Sequence, residues 1–282
     1  MTVRVSRAKS LPLKNSGALS LYPIGCGTAF SRNLSQNNYL IVKGKDHCMI
    51  DCGTRTPAAL ARLGLPATHI DNWIITHSHA DHIGGLEEVM LLGRYVAHKK
   101  PNVFITSEYE QALWNFSLKG GCESNESHDG LGLQFSDFWT VSRPAWLGGY
   151  PRETYGIRIG SIDIKAVRTR HFPEHATDWS HCAFSIGLII DDRILFSGDT
   201  QFDPDLLISY DEIFHFESIF HDVQFFTGGV HASLDELATL PDTFRNRMIL
   251  MHYPDTFEEH RDRVRREGFL GFVREGSVYT FD

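Results

Sequence analysis

A short segment of the chain concentrates side chains that can bind metal ions. The sequence THSHADHIGG, residues 76–85, contains His77, His79, Asp81 and His82. Imidazole and carboxylate groups are good ligands for zinc and related divalent ions, and three histidines leave a tetrahedral ion one open position. A carboxylate between two ions can bridge them. A pair of ions about 3.5–4 Å apart can activate water and stabilise a displacement at phosphorus. The segment therefore predicts hydrolytic metal chemistry.

Three further ligand candidates follow along the chain. They are His171, Asp199 within LFSGDT, and His252 within ILMHY. Asp199 and His252 each follow an apolar run, as expected for a ligand at the end of a strand. The segment 76–85 itself follows a strand-like run, and apolar residues at helical spacing come after it. We therefore expect all of these side chains on loops at the ends of regular elements, where they can converge.

The elements that must position these residues alternate between strands and helices. Strand-like runs cover residues 19–24, 39–42, 48–51, 73–76, 103–106, 162–167, 183–190, 193–196, 223–226 and 248–251. Helical patterns cover residues 57–63, 84–94, 108–118, 234–240 and 255–267. This order indicates a layered α/β domain.

Several motifs resemble those of one enzyme superfamily. HSHADH, residues 77–82, is similar to the HxHxDH signature of the metallo-β-lactamase superfamily. Asp51-Cys52-Gly53 resembles the superfamily's Asp-x-Gly, and the SGDT sequence at 197–200 resembles its bridging-aspartate motif. The resemblance runs from about residue 21 to the C-terminus, and it implies a four-layer αββα metallo-β-lactamase sandwich.

The resemblance also implies two groups of metal ligands. The first is His77, His79 and His171, and the second is Asp81, His82 and His252, with Asp199 bridging the two ions. His175 and His181 remain alternatives for the third motif; we favour His171 because it directly follows the strand-like stretch 162–168. Zinc is the default metal, and the ligand types are also compatible with manganese or iron.

A particular branch of the superfamily is indicated by three other motifs. IGCGTAF at 24–30, FHD at 220–222 and GVHAS at 229–233 are similar to motifs of the ribonuclease Z-like branch, although Asp222 replaces that branch's glutamate. The resemblance implies that His231 is the proton donor to the leaving oxygen and that Asp222 orients or charges it. Asp81, His231 and Asp222 are thus the predicted catalytic residues. Both residues have a structural alternative to these roles. His231 would then be the residue that precedes the helical pattern 234–240, and Asp222 would serve only to stabilise the fold.

Charge and spacing favour a small substrate. The tRNA-processing members carry a long arm between the third motif and the bridging aspartate, whereas here only 28 residues separate His171 from Asp199. The chain has 27 Lys+Arg against 35 Asp+Glu, a net charge of −8, and no long basic run. Binding of many phosphates requires basic contacts. The chain in this respect resembles the arm-less cyclic-nucleotide phosphodiesterases, including the phage anti-Pycsar enzymes that destroy cyclic pyrimidine signals.

The predicted function is a dinuclear metal-dependent phosphodiesterase for a small phosphodiester, most simply a cyclic nucleotide. One alternative is an RNA 3′-end endonuclease of the ribonuclease Z type. Another is a hydrolase of esters, thioesters or lactones, which the presence of His231 disfavours. A non-catalytic metal-binding module is a further alternative, and the intact ligand set disfavours it. Nucleic acid therefore stays a possible but disfavoured partner.

The domain organisation follows from the same resemblance. We expect an N-terminal extension over residues 1–18 and one domain over 19–282, with an insertion at about 119–158. The insertion is rich in aromatic residues, which can stack on a nucleobase or form ordinary core contacts. Because the open face of such a domain is shallow, the insertion or a partner subunit would have to enclose a small substrate. We therefore expect a homodimer.

The composition of the chain indicates in which cellular compartment we expect it. No run of 18 apolar residues occurs, so no transmembrane helix is predicted. The five cysteines show no paired spacing, and the N-terminus lacks the apolar stretch of a signal peptide. Free thiols in a reducing compartment, the cytoplasm, are expected.

Overall fold

Two eight-stranded β-sheets form the centre of the computed structural model, which describes residues 3–8 and 10–282. The first sheet contains, in spatial order, β1 (Arg4–Arg7), β18 (Ser277–Phe281), β2 (Leu19–Pro23), β3 (Tyr39–Lys43), β4 (Asp46–Ile50), β5 (Asn72–Ile74), β6 (Asn102–Phe104) and β9 (Thr140–Ser142). The second contains β10 (Ala145–Trp146), β11 (Thr154–Ile159), β12 (Ile162–Arg168), β13 (Ile186–Ile190), β14 (Ile194–Phe196), β15 (Ser218–Asp222), β16 (Met248–Met251) and β17 (Gly271–Phe272). A separate ribbon pairs β7 (Ser127–His128) with β8 (Leu131–Gly132).

Helices connect the strands and cover the sheets. They are α1 (Thr56–Arg62), α2 (Ala80–Ile83), α3 (Leu86–Leu92), α4 (Ser107–Leu113), α5 (Lys119–Cys122), α6 (Phe135–Phe138), α7 (Pro204–Phe214), α8 (Leu234–Leu237), α9 (Asp242–Arg245) and α10 (Arg261–Arg266). Short 3₁₀ turns occupy Ala67–His69, Glu123–Asn125, Trp179–His181 and Asp255–His260, and π-helical turns extend α3 and α4 over Gly93–Ala97 and Trp114–Leu118.

Side-chain alternation divides the first sheet between two cores. In β3, Tyr39 and Ile41 belong to a core shared with the second sheet, whereas Leu40 and Val42 belong to a core shared with α1, α3 and α4. Successive residues of a strand point to opposite faces, so a strand buried on both faces must be apolar throughout. The core between the sheets extends beyond the second sheet to α7. The order of layers is therefore helix, sheet, sheet, helix, as predicted.

The parallel part of each sheet determines where loops converge. β4 and β5 pair in parallel in the first sheet, and β14, β15 and β16 pair in parallel in the second. The carboxyl ends of parallel neighbours lie at the same edge of a sheet. The loops that follow these five strands carry most of the predicted ligands, so the fold brings them to one end of the sandwich.

Several predicted elements differ from those observed. A strand was predicted over residues 223–226, but the observed strand, β15, ends at Asp222. The prediction was wrong because two polar residues at the end of β15 weaken its apolar pattern. The helix predicted over 255–267 is divided into a 3₁₀ turn and α10. Periodicity also missed α7, although Asp203 caps it by accepting a hydrogen bond from the Leu206 amide and Pro204 occupies its first position.

The predicted N-terminal extension and the predicted insertion both contribute strands to the two sheets. Within the predicted extension 1–18, Arg4–Arg7 pairs with β18, while Met1, Thr2 and Lys9 fall outside the described residues. The predicted insertion, 119–158, supplies β9 to the first sheet and β10 and most of β11 to the second. Its ribbon is tied to the end of α3 by the ion pair between Arg94 and Glu126. Within the described residues, no helix is both long and apolar enough to span a bilayer.

The contact between the two sheets gives a test of the packing. Phe196 in β14 packs edge-to-face on Tyr39 in β3, with ring centroids 5.0 Å apart. Phe196→Ala should lower the free energy of unfolding by about 3–5 kcal/mol, because it leaves a cavity between the sheets. Phe116, which is 88% exposed, provides the control: Phe116→Ala should change that free energy by no more than about 0.5 kcal/mol. Urea denaturation measures both, and equal effects would contradict the packing described here.

Candidate metal centre

The loop between β5 and α2 presents the densest set of ligand candidates. β5 ends at Ile74 and α2 begins at Ala80, with His79 at the N-cap position. His77 lies on the loop, while Asp81 and His82 lie in the short helix. Asp51, which follows β4, accepts hydrogen bonds from the Thr76 amide and hydroxyl, each at 2.7 Å. These hydrogen bonds join the ends of β4 and β5 and fix the position at which the loop with His77 begins.

The second sheet supplies its candidates from three neighbouring parallel strands. Asp199 follows β14, Asp222 is the last residue of β15, and His252 follows β16. The strand register aligns Asp222 with Met251, so β15 and β16 end level, and it aligns Phe196, the last residue of β14, with Phe220, two residues before the end of β15. His252 has a positive φ of 53°, a conformation uncommon outside glycine and often found at functional sites.

The first group of ligand atoms consists of three imidazoles and one carboxylate. His79 Nδ1 lies 3.0 Å from His77 Nε2 and 3.1 Å from His171 Nε2. Asp199 Oδ2 lies 3.8 Å from His77 Nε2 and 3.9 Å from His171 Nε2. All four ligand atoms are within 4.8 Å of one another, which suits coordination of one small cation.

The second group shares the Asp199 carboxylate. His82 Nε2 lies 3.2 Å from Asp199 Oδ2 and 3.3 Å from Asp81 Oδ2. His252 Nε2 lies 3.3 Å and 3.1 Å from the same two oxygens. Asp199 is therefore the one residue common to both groups, the position that a bridging carboxylate would occupy.

Some buried ligand atoms of these groups have no hydrogen-bond partner among the described residues, so they are available to bind a metal ion. Asp199 is only 1% exposed, yet neither of its carboxylate oxygens accepts a hydrogen bond from any described residue. His82 Nε2 likewise has no hydrogen-bond partner in the described part of the chain. A buried, unpaired carboxylate is costly unless a charge compensates it. The donor set of imidazoles and carboxylates fits a pair of divalent cations.

Neighbouring acceptors orient two of the imidazoles. His171 Nδ1 lies 2.8 Å from the Val230 carbonyl oxygen, which can only accept, so this nitrogen carries the proton. His82 Nδ1 lies 2.7 Å from Asp51 Oδ2, whose carboxylate already accepts from Thr76. In the neutral form of both rings, which is the form that binds metal, Nε2 carries no proton, and it lies 3.2 Å (His82) or 3.9 Å (His171) from Asp199 Oδ2. Such outer partners are typical of metal-bound histidines.

Burial and neighbouring charges shift the histidine pKa values of the two groups in opposite directions. Burial lowers the pKa of His77 well below its ordinary value and that of His171 to about 3, so both rings are neutral, as metal ligands must be. Burial also lowers the pKa of His82, but the carboxylates of Asp199, Asp81 and Asp51 outweigh it and raise that pKa well above the ordinary value. The second group thus attracts positive charge, which a divalent cation would supply.

A further histidine lies against the shared carboxylate. His231 Nδ1 is 2.9 Å from Asp222 Oδ2 and 3.9 Å from Asp199 Oδ2. Asp222 is fully buried and also accepts a hydrogen bond from the Thr200 amide at 3.1 Å. Burial opposes ionisation of Asp222, but His221 and His231 more than compensate and lower its pKa. The His231 side chain is 19% exposed, so it lies between the buried centre and solvent.

The two alternative histidines for the third motif lie outside both ligand groups. His175 and His181, the alternatives for the third motif, have side chains 85% and 67% exposed and belong to neither group. No described residue of the segment 119–158 belongs to either group. The sequence motif Asp51-Cys52-Gly53 predicts no particular role for Asp51, whereas in the structure the Asp51 carboxylate orients His82. Gly53 is constrained as well, because a Cβ there would lie 2.0 Å from the Asp81 carbonyl oxygen.

The fold is similar to that of known metallo-β-lactamase proteins. The metallo-β-lactamase fold protein YhfI from Bacillus subtilis superposes with a TM-score of 0.65 and 17% identity, covering 94% of this chain and 100% of that one. A diphosphatase of the PhnP family superposes with a TM-score of 0.69 and 15% identity, covering 94% of this chain and 98% of that one. These likenesses confirm the predicted four-layer fold.

Sequence comparison identifies the family. The family model described as Anti-Pycsar protein Apyc1 matches residues 19–279. The Anti-Pycsar protein Apyc1 of Bacillus phage BSP38 is 37% identical over 262 residues, which cover 91% of this chain and 96% of that protein. Together with the two ligand groups, this match confirms the prediction of an enzyme of the metal-dependent hydrolase class. The chain belongs to the anti-Pycsar protein Apyc1 family.

Proposed function

We propose that this protein is a dinuclear metal-dependent phosphodiesterase that hydrolyses cyclic mononucleotides. The observation that carries the proposal is the arrangement around Asp199. Two groups of ligand atoms share its carboxylate, and His231, backed by Asp222, lies 3.9 Å from the same oxygen. A phosphodiester at this centre would meet both a cation pair and a proton donor. Hydrolysis requires both functions.

Seven residues would hold the ions. His77, His79 and His171 would hold one, Asp81, His82 and His252 the other, and Asp199 both. Two divalent cations, when bound, would lower the pKa of a water molecule and stabilise the charge that develops on the phosphoryl oxygens. Zinc is our proposal for both sites, because imidazole dominates the ligand set. Asp51 and the Val230 carbonyl would keep the imidazoles in the metal-binding tautomer.

His231 would protonate the leaving oxygen. An alkoxide is a poor leaving group, so the P–O bond breaks more easily when a proton reaches the oxygen in the transition state. The carboxylate of Asp222 accepts from Nδ1–H of His231, so that in the protonated ring Nε2–H would be the donor to the leaving oxygen. The neutral ring that remains after the transfer would take up a proton from water. Asp222 would in this way position His231 without touching the substrate.

Chain geometry supports a small phosphodiester. Between His171 and Asp199 the chain forms the turn Trp179–His181 and the strands β13 and β14, so no arm extends from this part of the domain. A net charge of −8 also disfavours a polyanionic substrate. Relatives named Anti-Pycsar protein Apyc1 align with most of this chain, and the alignment with the Bacillus phage BSP38 protein covers 91% of it. Cyclic mononucleotides are accordingly preferred over RNA 3′ ends.

We also propose a homodimer of single-domain chains. The metal centre lies at one end of the sandwich, and the segment 119–158 adds no ligand there. A second copy could enclose the open face, and two-fold pairs are the commonest assembly. All five cysteines are buried and unpaired, which suits a reducing compartment such as the cytoplasm.

The metal content gives the first test of this function. Wild-type protein should hold two ions per chain, and Asp81→Ala should lose the ion of the second group while keeping the other. His171→Ala should lose the ion of the first group, whereas the exposed His175 provides the control, and His175→Ala should keep both. Inductively coupled plasma mass spectrometry of gently purified protein measures the content. Loss of an ion in His175→Ala but not in His171→Ala would overturn the assignment.

The proposed acid gives the second test. His231→Ala should keep both ions but lose turnover of a cyclic nucleotide by roughly 10²–10⁴-fold, the usual contribution of a positioned acid. The loss should be much smaller for bis(p-nitrophenyl) phosphate, because p-nitrophenolate leaves without a proton. Steady-state kinetics on both substrates measure the difference. An equal loss on the two substrates, or near-normal turnover on both, would show that His231 is not the acid.

The substrate class gives the third test. Cyclic mononucleotides should be hydrolysed, while a cyclic dinucleotide, a precursor tRNA and a lactone should remain intact under the same conditions with metal. Light scattering should give about twice the chain mass of 32.0 kDa. Efficient cleavage of the precursor tRNA by a monomer, with cyclic nucleotides untouched, would instead favour the RNA 3′-end endonuclease.

A further inference from the structure

One loop at the metal centre combines a firmly held backbone with an exposed aromatic ring. The loop runs from Phe225 to Val230, immediately before His231. Phe225 packs inward: its ring stacks on His260, with centroids 3.8 Å apart and planes at 16°, and its edge meets Phe272. Phe226 points the other way and is 64% exposed. The two neighbours therefore have different environments, one anchored and one presented to solvent.

Polar contacts fix the backbone that carries Phe226. The Gln224 side-chain amide donates to the Phe226 carbonyl at 2.9 Å and also to the Gly228 carbonyl. The Gly229 amide donates to Glu174 Oε1 at 2.7 Å. Gly228 and Gly229 have φ of 94° and 84°, which side-chain-bearing residues rarely adopt. The loop is thus held in one conformation by contacts to the backbone of Phe226, Gly228 and Gly229.

The same loop is part of the metal centre. The Val230 carbonyl accepts from His171, a proposed ligand, and His231, the next residue, contacts Asp222. The Phe226 ring lies against Gly229, since a Cβ at that glycine would be 3.8 Å from Phe226 Cε2. A large apolar ring is therefore exposed within a few residues of a strongly polar site. The loop that carries the ring is hydrogen-bonded to His171 through the Val230 carbonyl and to Glu174, three residues after His171, through the Gly229 amide.

We propose that Phe226 binds the substrate by stacking on its nucleobase while the phosphodiester occupies the metal centre. The inference rests on the proposed function, because it assigns a contact to that same substrate. An aromatic face can stack on any base, and such a contact contributes binding without taking part in bond breaking. Phe226 is thus a binding residue, and its loss raises KM and leaves kcat almost unchanged.

The experiment compares substrates with and without a base. Wild type, Phe226→Ala and Phe226→Tyr are assayed on cyclic AMP and on 1,2-dideoxyribose 3′,5′-cyclic phosphate, which retains the cyclic phosphodiester but lacks a base. Phe116→Ala, an exposed phenylalanine on the helix layer of the first sheet, is the control. Metal content and mass in solution are measured for every variant.

Phe226→Ala should raise KM for cyclic AMP by roughly 5- to 150-fold, the range expected for one base–aromatic stack. Its KM for the abasic substrate should stay within about twofold of wild type, and Phe226→Tyr should restore the KM for cyclic AMP. An unchanged KM for cyclic AMP, or an equal rise for both substrates, overturns the inference. An equal rise accompanied by a change from dimer to monomer would assign Phe226 to a subunit contact instead.

Failure of the proposed function gives a different result. If wild type hydrolyses neither cyclic substrate but cleaves bis(p-nitrophenyl) phosphate, the substrate class is wrong and the stacking role falls with it. If wild type hydrolyses cyclic AMP and Phe226→Ala does so with the same KM, only the stacking role is wrong. The two failures are therefore distinguishable in one set of assays.

Discussion

The buried carboxylate of Asp199 is the constraint on which the rest of the site depends. It lies within 3.2–3.9 Å of nitrogens from five histidines, and no described residue donates a hydrogen bond to it. Burial alone would favour its protonated form, but His252 and His82 hold its pKa well below the ordinary value. A desolvated anion in such a place is stable only with compensating positive charge. The surrounding fold can be understood as a way of supplying that charge.

The two sheets contribute to this centre in different ways. The first sheet provides a compact loop in which Asp51, Thr76 and His82 form one hydrogen-bonded unit. The second provides Asp199, Asp222 and His252 at or just after the ends of three neighbouring parallel strands. Because the sheets are held together by the apolar core between them, packing far from the site sets the distance between the two halves of the ligand set. The positions of the functional groups are thus consequences of sheet pairing and core volume.

Sequence patterns predicted the metal-compatible residues well because those residues are dense and local. Four candidates fall within residues 77–82, and the others follow apolar strands, so spacing and strand-end position identified them without coordinates. The sequence favoured His171 over His175 and His181 by its position after a strand, and the structure places His171 among the buried ligand candidates while the side chains of the other two are exposed. The role of the Val230 carbonyl could not be predicted, since any residue provides a carbonyl and only the fold places this one 2.8 Å from His171. Similarly, the strand was predicted over residues 223–226 instead of at β15, because His221 and Asp222 are buried polar residues that obscure the apolar pattern of a strand.

The proposed cation pair is best tested by a crystal structure of the protein purified with its metals, with anomalous diffraction measured at the zinc edge. We expect two anomalous peaks per chain, about 3.5–4 Å apart, with Asp199 coordinating both. One peak should contact His77, His79 and His171, and the other Asp81, His82 and His252. A single fully occupied peak, or a pair of ions that Asp199 does not bridge, would show that the dinuclear centre proposed for this protein is wrong.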